Sequence, residues 1–221
     1  MSAPIVHTET PETFAVIPTY NEADNLPDLL RELLALPVGL GVIVVDDNSP
    51  DGTGQLAEGY SRQFPGRVVA VHRPAKLGLG TAYIAGFRRA LELGARRVMT
   101  MDADFSHHPR FVPALIALSR EKDVVIGSRY VPGGGTLHCS LPRRTLSRGA
   151  NMLARVALGL RARDATAGFR LYRREVLESI PLDRIFSSGY SFLVEMLFLV
   201  QRGGWSVGET PIVFEDRRVG Q

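Results

Sequence analysis

Two carboxylates separated by a single residue follow an apolar run. Asp102 and Asp104 come directly after Val98 to Met101, a run typical of a buried strand. Carboxylates at this spacing can present oxygens to one hard cation, Mg²⁺ or Mn²⁺, which keeps water molecules and takes other ligands from substrate phosphates. We interpret His107 and His108, which come next, as residues at a helix start rather than as metal ligands. The spacing therefore indicates metal-assisted chemistry on a phosphate-bearing ligand.

Polar clusters also follow two earlier apolar runs. Pro18 to Glu22 comes after Phe14 to Ile17, and Asp46 to Asp51 comes after Val42 to Val45. In parallel sheets, ligands bind beyond the carboxyl ends of the strands. Three clusters at one sheet edge therefore predict a binding site there.

The second cluster also has the spacing of an EF-hand calcium loop, from Asp47 through Gly52 to a glutamate at the twelfth place. Such a loop lies between two helices, whereas the preceding run here is typical of a strand. A strand-to-helix turn fits better, with Asp51 or Thr53 capping the helix and Asp47 facing the ligand.

A third motif, Lys76-Leu-Gly-Leu-Gly-Thr81, partly matches a dinucleotide-binding fingerprint. Its third glycine is missing, because Tyr83 stands at that place. We expect the two glycines to let a helix N-terminus approach the sheet or a substrate.

Covalent catalysis is not indicated. Cys139 lies in a glycine-rich loop without a matching histidine, and no Gly-x-Ser-x-Gly elbow occurs. A single cysteine also cannot form an internal disulfide, which fits a reducing compartment. These observations favour metal-assisted transfer of a phosphate-linked group over hydrolysis through a covalent intermediate.

The elements that must position these residues alternate between short apolar runs and helix-length stretches. Near-continuous apolar strands separated by helices predict an α/β fold with a mostly parallel sheet and helices on both faces. The predicted strands are Phe14–Ile17, Val42–Val45, Val68–Val71, Val98–Met101 and Val124–Ile126, and the predicted helices span 24–36, 53–64, 81–93 and 109–118.

After residue 129 the pattern changes. We predict a mobile loop around Gly133 to Gly135, a helix over 143–158, a second helix over 190–202 and a strand over 205–214. The helix over 143–158 is amphipathic. Its apolar face is formed by Leu146, Ala150, Leu153, Ala157 and Leu160, and its opposite face carries Arg144, Arg148 and Arg155.

Length and composition fit an ordinary globular protein. The chain has 221 residues, of which 45% are hydrophobic and 22% charged, which argues against disorder or a fibrous repeat. No apolar run approaches 18 residues and the N-terminus has no signal-peptide pattern, so we expect neither a spanning helix nor secretion. We expect one domain over 1–221.

The net charge of +3 conceals an uneven distribution. Residues 129–174 hold ten arginines and one acid, Asp164, a net charge of +9, which leaves −6 for the rest of the chain. Such a segment suits an anionic partner: nucleic acid, a membrane surface or a phosphorylated substrate. A nucleic-acid-binding module is the alternative to an enzyme, although the arginines lack interleaved aromatic residues for base stacking.

Taken in order, the segments resemble glycosyltransferase family 2 with the GT-A fold, and within it the dolichyl- or polyprenyl-phosphate mannose synthases. Most of the chain takes part in the resemblance, from about residue 14 to 218. Within the single domain, the resemblance implies a nucleotide-sugar half over about 14–128 and an acceptor- and membrane-facing half over about 129–221. The matching segments are 18–22, 44–53, 76–83, 101–109, 127–130, 146–151, 164–172, 189–192 and 211–217.

The resemblance implies an inverting, metal-dependent transfer of mannose from GDP-mannose to polyprenyl (dolichyl) phosphate, on a GT-A fold with an interfacial helix. It implies a peripheral location at the cytoplasmic face of the membrane, and a helper membrane subunit is conceivable. The alternative within the same enzyme class transfers glucose from UDP-glucose to the same acceptor.

The resemblance also assigns roles to individual residues. Catalytic roles fall to Asp102, Asp104 and Arg129, and the divalent cation, Mg²⁺ or Mn²⁺, falls to Asp102 and Asp104. Ser106 stands where some members carry a glutamine at the metal site. The nucleotide-sugar contacts are Pro18, Tyr20, Glu22, Val45, Asp47, Asp102, Ala103, Asp104, Arg129 and Arg217. The acceptor-phosphate contacts are Arg129, Arg143, Arg144, Ser147 and Arg148.

Overall fold

A computed structural model describes residues 10–137 and 141–215, apart from the side chains of residues 141–144 and 146. Within this part of the chain, a seven-stranded sheet has the order β3-β2-β1-β4-β7-β5-β8, and β6 and β9 form a separate two-stranded sheet. The strands are β1 (Thr13–Thr19), β2 (Leu40–Asp46), β3 (Val68–His72), β4 (Arg97–Thr100), β5 (Val124–Ser128), β6 (Gly135–Leu137), β7 (Arg170–Arg173), β8 (Val207–Pro211) and β9 (Val213–Glu215). The helices are α1 (Leu26–Ala35), α2 (Thr53–Gln63), α3 (Leu79–Glu92), α4 (Val112–Leu118), α5 (Leu141–Leu158), α6 (Arg174–Ser179) and α7 (Tyr190–Arg202).

The mostly parallel sheet predicted from the apolar runs is confirmed. Strands β1, β2, β3 and β4 are mutually parallel, and β5 is parallel to β8. Strand β7 was not predicted, and it runs antiparallel between β4 and β5. The strand predicted over 205–214 is instead two short strands, because β8 pairs with β5 whereas β9 pairs with β6.

Helices cover both faces of the sheet, as the apolar strands require. On one face, α3 and α7 pack against the sheet around Phe87, Tyr83 and Phe192. On the other face, α1 buries four leucines beside β1 and β2. The contact between α3 and β1 is close: a Cβ on Gly86 would lie 2.1 Å from Val16 Cγ1, so only glycine fits there.

This topology brings the three predicted polar clusters together. Residues 18–22, 46–51 and 102–104 stand at the carboxyl ends of β1, β2 and β4, which are neighbours in the sheet or share β1 as a neighbour. The sheet edge predicted as a binding site is therefore formed by three adjacent parallel strands.

Helix α5 has the predicted position but not the usual orientation of an amphipathic helix. Of the predicted apolar face, Ala150, Leu153 and Ala157 are exposed. The residues that face the protein are polar, with Asn151 buried and Ser147 half-buried. Along the described residues, no helix is both long enough and apolar enough to cross a bilayer.

Candidate active site

A cavity of about 920 Å³ lies beyond the carboxyl ends of β1, β2 and β4. Its volume and its mixture of apolar and polar walls are usual for a small-molecule site. Eight of the residues predicted for substrate or metal binding line it: Pro18, Tyr20, Glu22, Asp47, Asp102, Ala103, Asp104 and Arg129.

Other predicted site residues lie elsewhere. The side chain of Val45 is fully buried in the core and not in the cavity wall, because β2 alternates its side chains between the two covered faces. Ser147 and Arg148 on α5 are also not among the lining residues, and Arg148 is exposed. The side chains of Arg143 and Arg144, and the whole of Arg217, lie outside the described residues.

One part of the wall combines an aromatic ring with charged groups. The Nζ of Lys76 lies 4.3 Å from the ring centroid of Tyr20, a cation–π contact. Asp47 is buried nearby, with Oδ1 3.3 Å from Nε of Arg73. Burial raises the pKa of Asp47 above its usual value, and Arg73 offsets part of this rise. These groups can contact a planar polar ligand such as a nucleobase and its sugar.

The loop after β2 is the predicted strand-to-helix turn, and it does not lie between two helices as a calcium loop would. The capping prediction was wrong, because the N-cap of α2 is Gly52, without a side-chain cap, and not Asp51 or Thr53. Asp51 accepts hydrogen bonds from the backbone N–H and the hydroxyl of Thr53, at 3.0 and 2.6 Å, directly before α2. It also accepts one from the Ala23 N–H at 3.0 Å, which joins the loop after β2 to the loop after β1. Burial opposes ionisation of Asp51, but these hydrogen bonds outweigh it and hold its pKa below the usual value.

Asp102 is held by groups behind the cavity wall. The hydroxyl of Tyr83 donates to Asp102 Oδ1 at 3.1 Å, and the fully buried Tyr83 ring stacks on Phe192. Burial, together with the negative charge of Asp102, raises the pKa of Tyr83 well above its usual value. The hydroxyl therefore stays protonated and remains a donor to Asp102.

The two histidines next to the carboxylates have different places. His108 caps a short 3₁₀ helix over Pro109–Phe111, where its Nδ1 accepts from the Arg110 N–H, as the helix-start interpretation predicts. His107 is buried, and its Nδ1 accepts from the backbone N–H of Asp102 at 3.0 Å. Burial lowers the pKa of His107, so the neutral ring carries its proton on Nε2.

Asp104 turns back onto its own loop. Its Oδ1 accepts from the Ser106 N–H at 3.0 Å, and Phe105 between them adopts a positive φ of 62°. The Oγ of Ser106 is buried and has no hydrogen-bond partner among the described residues. In the same part of the chain, no three His, Cys, Asp or Glu residues group as a cation site.

Arg129 lines the same cavity and is tightly held. Its Nε and Nη2 each lie 2.8 Å from a different oxygen of Asp164, and its backbone N–H also donates to Asp164, at 3.0 Å. Nη2 donates further to Thr166 Oγ1 at 2.9 Å. Burial opposes the charge on Arg129, but the hydrogen bonds and charge of Asp164 outweigh it and raise the pKa of Arg129. Among the hydrogen bonds of the described residues, Nη1 of Arg129 takes no part.

The aromatic ring of Phe214, on β9, connects these two parts of the wall. The Arg129 guanidinium carbon lies 5.5 Å from the Phe214 ring centroid, and the His107 ring packs edge-on against the same ring at 5.8 Å. Arg129 and the loop of the carboxylate pair thus line one cavity and pack against the same aromatic ring.

Sequence reasoning missed several residues of this site. Lys76, Thr166 and Tyr190 line the cavity, and Tyr83 and Asp164 hold its charged groups. A signal for Asp164 was available, because it is the single acid among the ten arginines of residues 129–174. Tyr83 offered no such signal, since a tyrosine in an apolar helix face is usually a packing residue.

Comparisons with known proteins identify the family of the chain. Residues 14–180 match the family Glycosyl transferase family 2. The chain is 44% identical over 212 residues to polyprenol monophosphomannose synthase of Mycolicibacterium smegmatis, covering 96% of this chain and 80% of that protein. It is 45% identical over 206 residues to undecaprenyl-phosphate mannosyltransferase of Micrococcus luteus, covering 93% of this chain and 84% of that protein.

A solved structure shares the fold. Glucosyl-3-phosphoglycerate synthase from Mycobacterium tuberculosis, crystallised with Mn²⁺, uridine diphosphate and phosphoglyceric acid, matches with a TM-score of 0.66. The match covers 95% of this chain and 71% of that chain at 22% identity, so it supports the GT-A architecture alone. With the family match and the two relatives, these findings give one conclusion: the chain belongs to glycosyl transferase family 2, a family of glycosyltransferases.

Proposed function

We propose that this enzyme transfers mannose from GDP-mannose to a polyprenyl phosphate with inversion at the sugar carbon. One observation carries the proposal: a single cavity holds the paired carboxylates Asp102 and Asp104 together with the aspartate-anchored Arg129. The two carboxylates suit a nucleoside diphosphate that carries a divalent cation, and the arginine suits the phosphate of a second substrate. The names of the two relatives supply the sugar and the class of acceptor.

The nucleoside end of the donor would occupy the wall formed by Pro18, Tyr20, Glu22 and Asp47. Tyr20 offers a ring for stacking, and Lys76 above it offers a positive charge. Asp47 offers a carboxylate that lines the cavity, with Oδ1 paired with Arg73 behind it. Such an acceptor is suited to the N–H groups of a guanine or a ribose hydroxyl. Val45 would contribute through its backbone, since its side chain lies in the core.

The residues present fit a divalent cation. Asp102 and Asp104 supply carboxylate oxygens next to the Ala103 backbone, and the unpartnered Ser106 Oγ lies in the same loop. Two carboxylates suit Mg²⁺ or Mn²⁺, which complete their shells with water and substrate phosphates. When bound, the cation would neutralise the charge that develops on the leaving diphosphate.

The acceptor phosphate would bind at Arg129. Asp164 holds two of the guanidinium nitrogens, and within the described part of the chain Nη1 keeps its N–H groups for an anion in the cavity. We place Arg143, Arg144, Ser147 and Arg148 of α5, and Arg217, near this phosphate or the donor phosphates as further contacts. Guanidinium groups suit this task because their planar donor pattern matches phosphate oxygens.

The chemistry requires little of a general base. A phosphate monoester is already an anion at neutral pH, so its oxygen can attack the sugar C1 directly. The new C1–O bond forms as the C1–O bond to the diphosphate breaks, and the leaving nucleoside diphosphate keeps the electron pair. The chain's groups therefore act by orienting two anions and stabilising the departing charge.

Helix α5 supports a place at a membrane surface. Met152, Leu153 and Val156 have exposed fractions of 66%, 71% and 74%, and the exposed Arg148 lies beside them on the helix. An apolar helix surface with neighbouring positive charge binds at the interface of a bilayer that contains anionic lipid. The polyprenyl tail of the acceptor would remain in the same bilayer, on the cytoplasmic side where nucleotide sugars are available.

A turnover assay tests the reaction. The purified protein is incubated with vesicle-borne polyprenyl phosphate and either GDP-mannose or UDP-glucose, with and without a metal chelator. We expect a mannolipid product from GDP-mannose that disappears with chelator and returns with excess Mg²⁺ or Mn²⁺. Preferential use of UDP-glucose would overturn the donor assignment, and turnover unaffected by chelator would overturn the metal assignment.

A further inference from the structure

Asn151 attaches helix α5 to the loop that precedes β7. Its side chain is buried, and its Nδ2 donates to the carbonyl of Arg163 at 2.7 Å while its Oδ1 accepts from the N–H of Ala165 at 2.8 Å. Both polar groups of the amide are therefore used on the backbone at either side of Asp164. An asparagine that pairs with two backbone groups in this way fixes a loop much as a neighbouring strand would.

The residue between those two backbone groups is the anchor of Arg129. Asp164 has an exposed fraction of 0% and binds the guanidinium through two 2.8 Å contacts. From the sheet side, Glu209 on β8 accepts from the N–H groups of Arg163 and Asp164, at 2.8 and 3.0 Å. The loop is thus held to the sheet by Glu209 and to the helix by Asn151.

A second contact joins α5 to the residue that follows Arg129. The hydroxyl of Tyr130, the residue after Arg129, lies 3.0 Å from Ser147 Oγ. Ser147 and Asn151 are four residues apart, so they share the inward face of the helix. The outward face carries the exposed Leu153 and Val156.

We infer that Asn151 is a positioning residue for the acceptor phosphate. By tying Asp164 to α5, it sets the position of the Arg129 guanidinium relative to the helix surface that meets the bilayer. The inference rests on the proposed function, because it assigns Arg129 to the acceptor phosphate. It assigns no contact with substrate to Asn151 itself.

The chain offers a matched control. Gln201 on α7 makes the same pair of backbone contacts a few residues earlier, with Nε2 donating to Gly159 at 2.8 Å and Oε1 accepting from Arg161 at 2.9 Å. It holds the same connecting segment but does not contact the residues next to Asp164. Loss of Gln201 therefore reproduces the loss of two amide hydrogen bonds without releasing Arg129.

The experiment compares Asn151→Ala and Gln201→Ala with the unmodified enzyme. Both KM values and kcat are measured with acceptor in vesicles and with short-chain polyprenyl phosphate in detergent. For Asn151→Ala we expect the acceptor KM to rise about tenfold in both media, because a misplaced guanidinium binds phosphate poorly. The donor KM and vesicle co-sedimentation should stay within about twofold of the unmodified enzyme, as should every parameter of Gln201→Ala.

Two further measurements separate positioning from folding. Circular dichroism melting shows whether Asn151→Ala is folded. If it is not, Asn151→Ser, which keeps one short polar group, replaces it, and we expect a smaller rise in the acceptor KM. Combining Asn151→Ala with Leu153→Ser and Val156→Ser should give a vesicle acceptor KM below the product of the separate effects, because both changes act through α5.

Different failures have different signatures. An acceptor KM for Asn151→Ala equal to that of Gln201→Ala, or a parallel rise in its donor KM, overturns the positioning role. If the unmodified enzyme makes no product from polyprenyl phosphate, the proposed function fails instead.

Discussion

Helices α1 and α5 are both amphipathic, but they turn their apolar faces in opposite directions. Helix α1 buries Leu26, Leu29, Leu30 and Leu33 against the sheet. Helix α5 exposes Leu153 and Val156, and buries Asn151. The periodicity of a sequence therefore shows that a helix has an apolar face, but it does not show whether that face meets the core or a partner. Here α5, the helix beside Arg129 and Tyr130, presents its apolar face outward.

The charged side chains before and after residue 129 also differ in whether they face the cavity or the interior of the protein. In the region up to Ser128, Asp102 and Asp104 line an open cavity. In the region from Arg129 onward, several arginines serve the fold: Arg129 binds Asp164, and Arg173 donates to the carbonyls of Ser119 and Arg120. The +9 segment is therefore not a uniform basic surface. Among the described side chains, its charge is divided between internal supports and exposed arginines, which are Arg148 on α5 and Arg161 and Arg163 after it.

The largest expected effect lies on the carboxylate side. Asp104→Ala should lower turnover about 10³-fold while the protein stays folded, because it removes a proposed ligand of the cation that stabilises the leaving group. Turnover with saturating Mg²⁺ or Mn²⁺ and a thermal melt check this. Asp28→Ala, an exposed aspartate on α1 paired with Arg31, is the control and should change turnover little. Near-normal turnover of Asp104→Ala would refute the assignment of this residue.

On the arginine side, loss of function and loss of stability should occur together. Arg129→Ala should lower turnover about 10²-fold. It should also lower the free energy of unfolding by about 3–5 kcal/mol, because Asp164 would remain buried without its charge partner.

The double variant Arg129→Ala, Asp164→Ala separates these two effects. Removal of both charges should restore much of the stability but none of the activity, as urea unfolding and turnover can show. If Arg129→Ala unfolds at the same urea concentration as the unmodified protein, the pair contributes nothing to stability.

Serine substitutions of apolar residues on α1 and α5 test whether the apolar face of α5 binds a membrane rather than the core. Leu153→Ser with Val156→Ser should weaken co-sedimentation with vesicles of mixed zwitterionic and anionic phospholipid at least about tenfold, without lowering the melting temperature. In contrast, Leu30→Ser on α1 should lower the free energy of unfolding by about 2–5 kcal/mol. Unchanged vesicle binding of the α5 variant would show that this face does not bind membranes.

The smallest effect concerns Asp123, which joins the start of β5 to the residue before β8. Burial opposes its ionisation, but hydrogen bonds from the hydroxyl and N–H of Ser206, helped by Arg173, outweigh burial and hold its pKa below the usual value. A carboxyl whose pKa is lowered in the folded state stabilises the fold at pH values above its unfolded pKa of about 3.9. This contribution is lost as the pH falls through the pKa of the folded state. Asp123→Asn should therefore cost about 1 kcal/mol at neutral pH, and progressively less in acid. Equal costs at pH 7 and in acid, in urea titrations, would contradict this.

Much of the fold follows from the sequence because its strands are buried on both faces. Runs such as Val42 to Val45 cannot be amphipathic, so their length and flanking turns identify them. Strand β7 escaped prediction because three of its four residues, Arg170 to Arg173, are arginine or tyrosine, and because its place depends on pairing with β4 and β5. Pairing between distant strands leaves no local pattern.

The site was predictable where it is local and not where it depends on tertiary contacts. Asp102 and Asp104 are recognisable from spacing after a strand, and the structure places both in the cavity. The partner of Arg129 is 35 positions away along the chain, so no window of sequence joins it to Asp164. The attachment of the loop around Asp164 to α5 likewise depends on contacts of Asn151 with residues 12 and 14 positions away.

Arg170 shows a different use of charge. Its guanidinium is fully buried and donates to the carbonyls of Ala165, Ala167 and Leu193 and to the Tyr172 hydroxyl. Carbonyl and hydroxyl dipoles satisfy its N–H groups but do not cancel its positive charge. In a medium of low polarizability such a charge acts over distance, so its electrostatic potential extends into the cavity just beyond Ala167 and Leu193. An anionic substrate would feel this attraction without touching the residue that causes it.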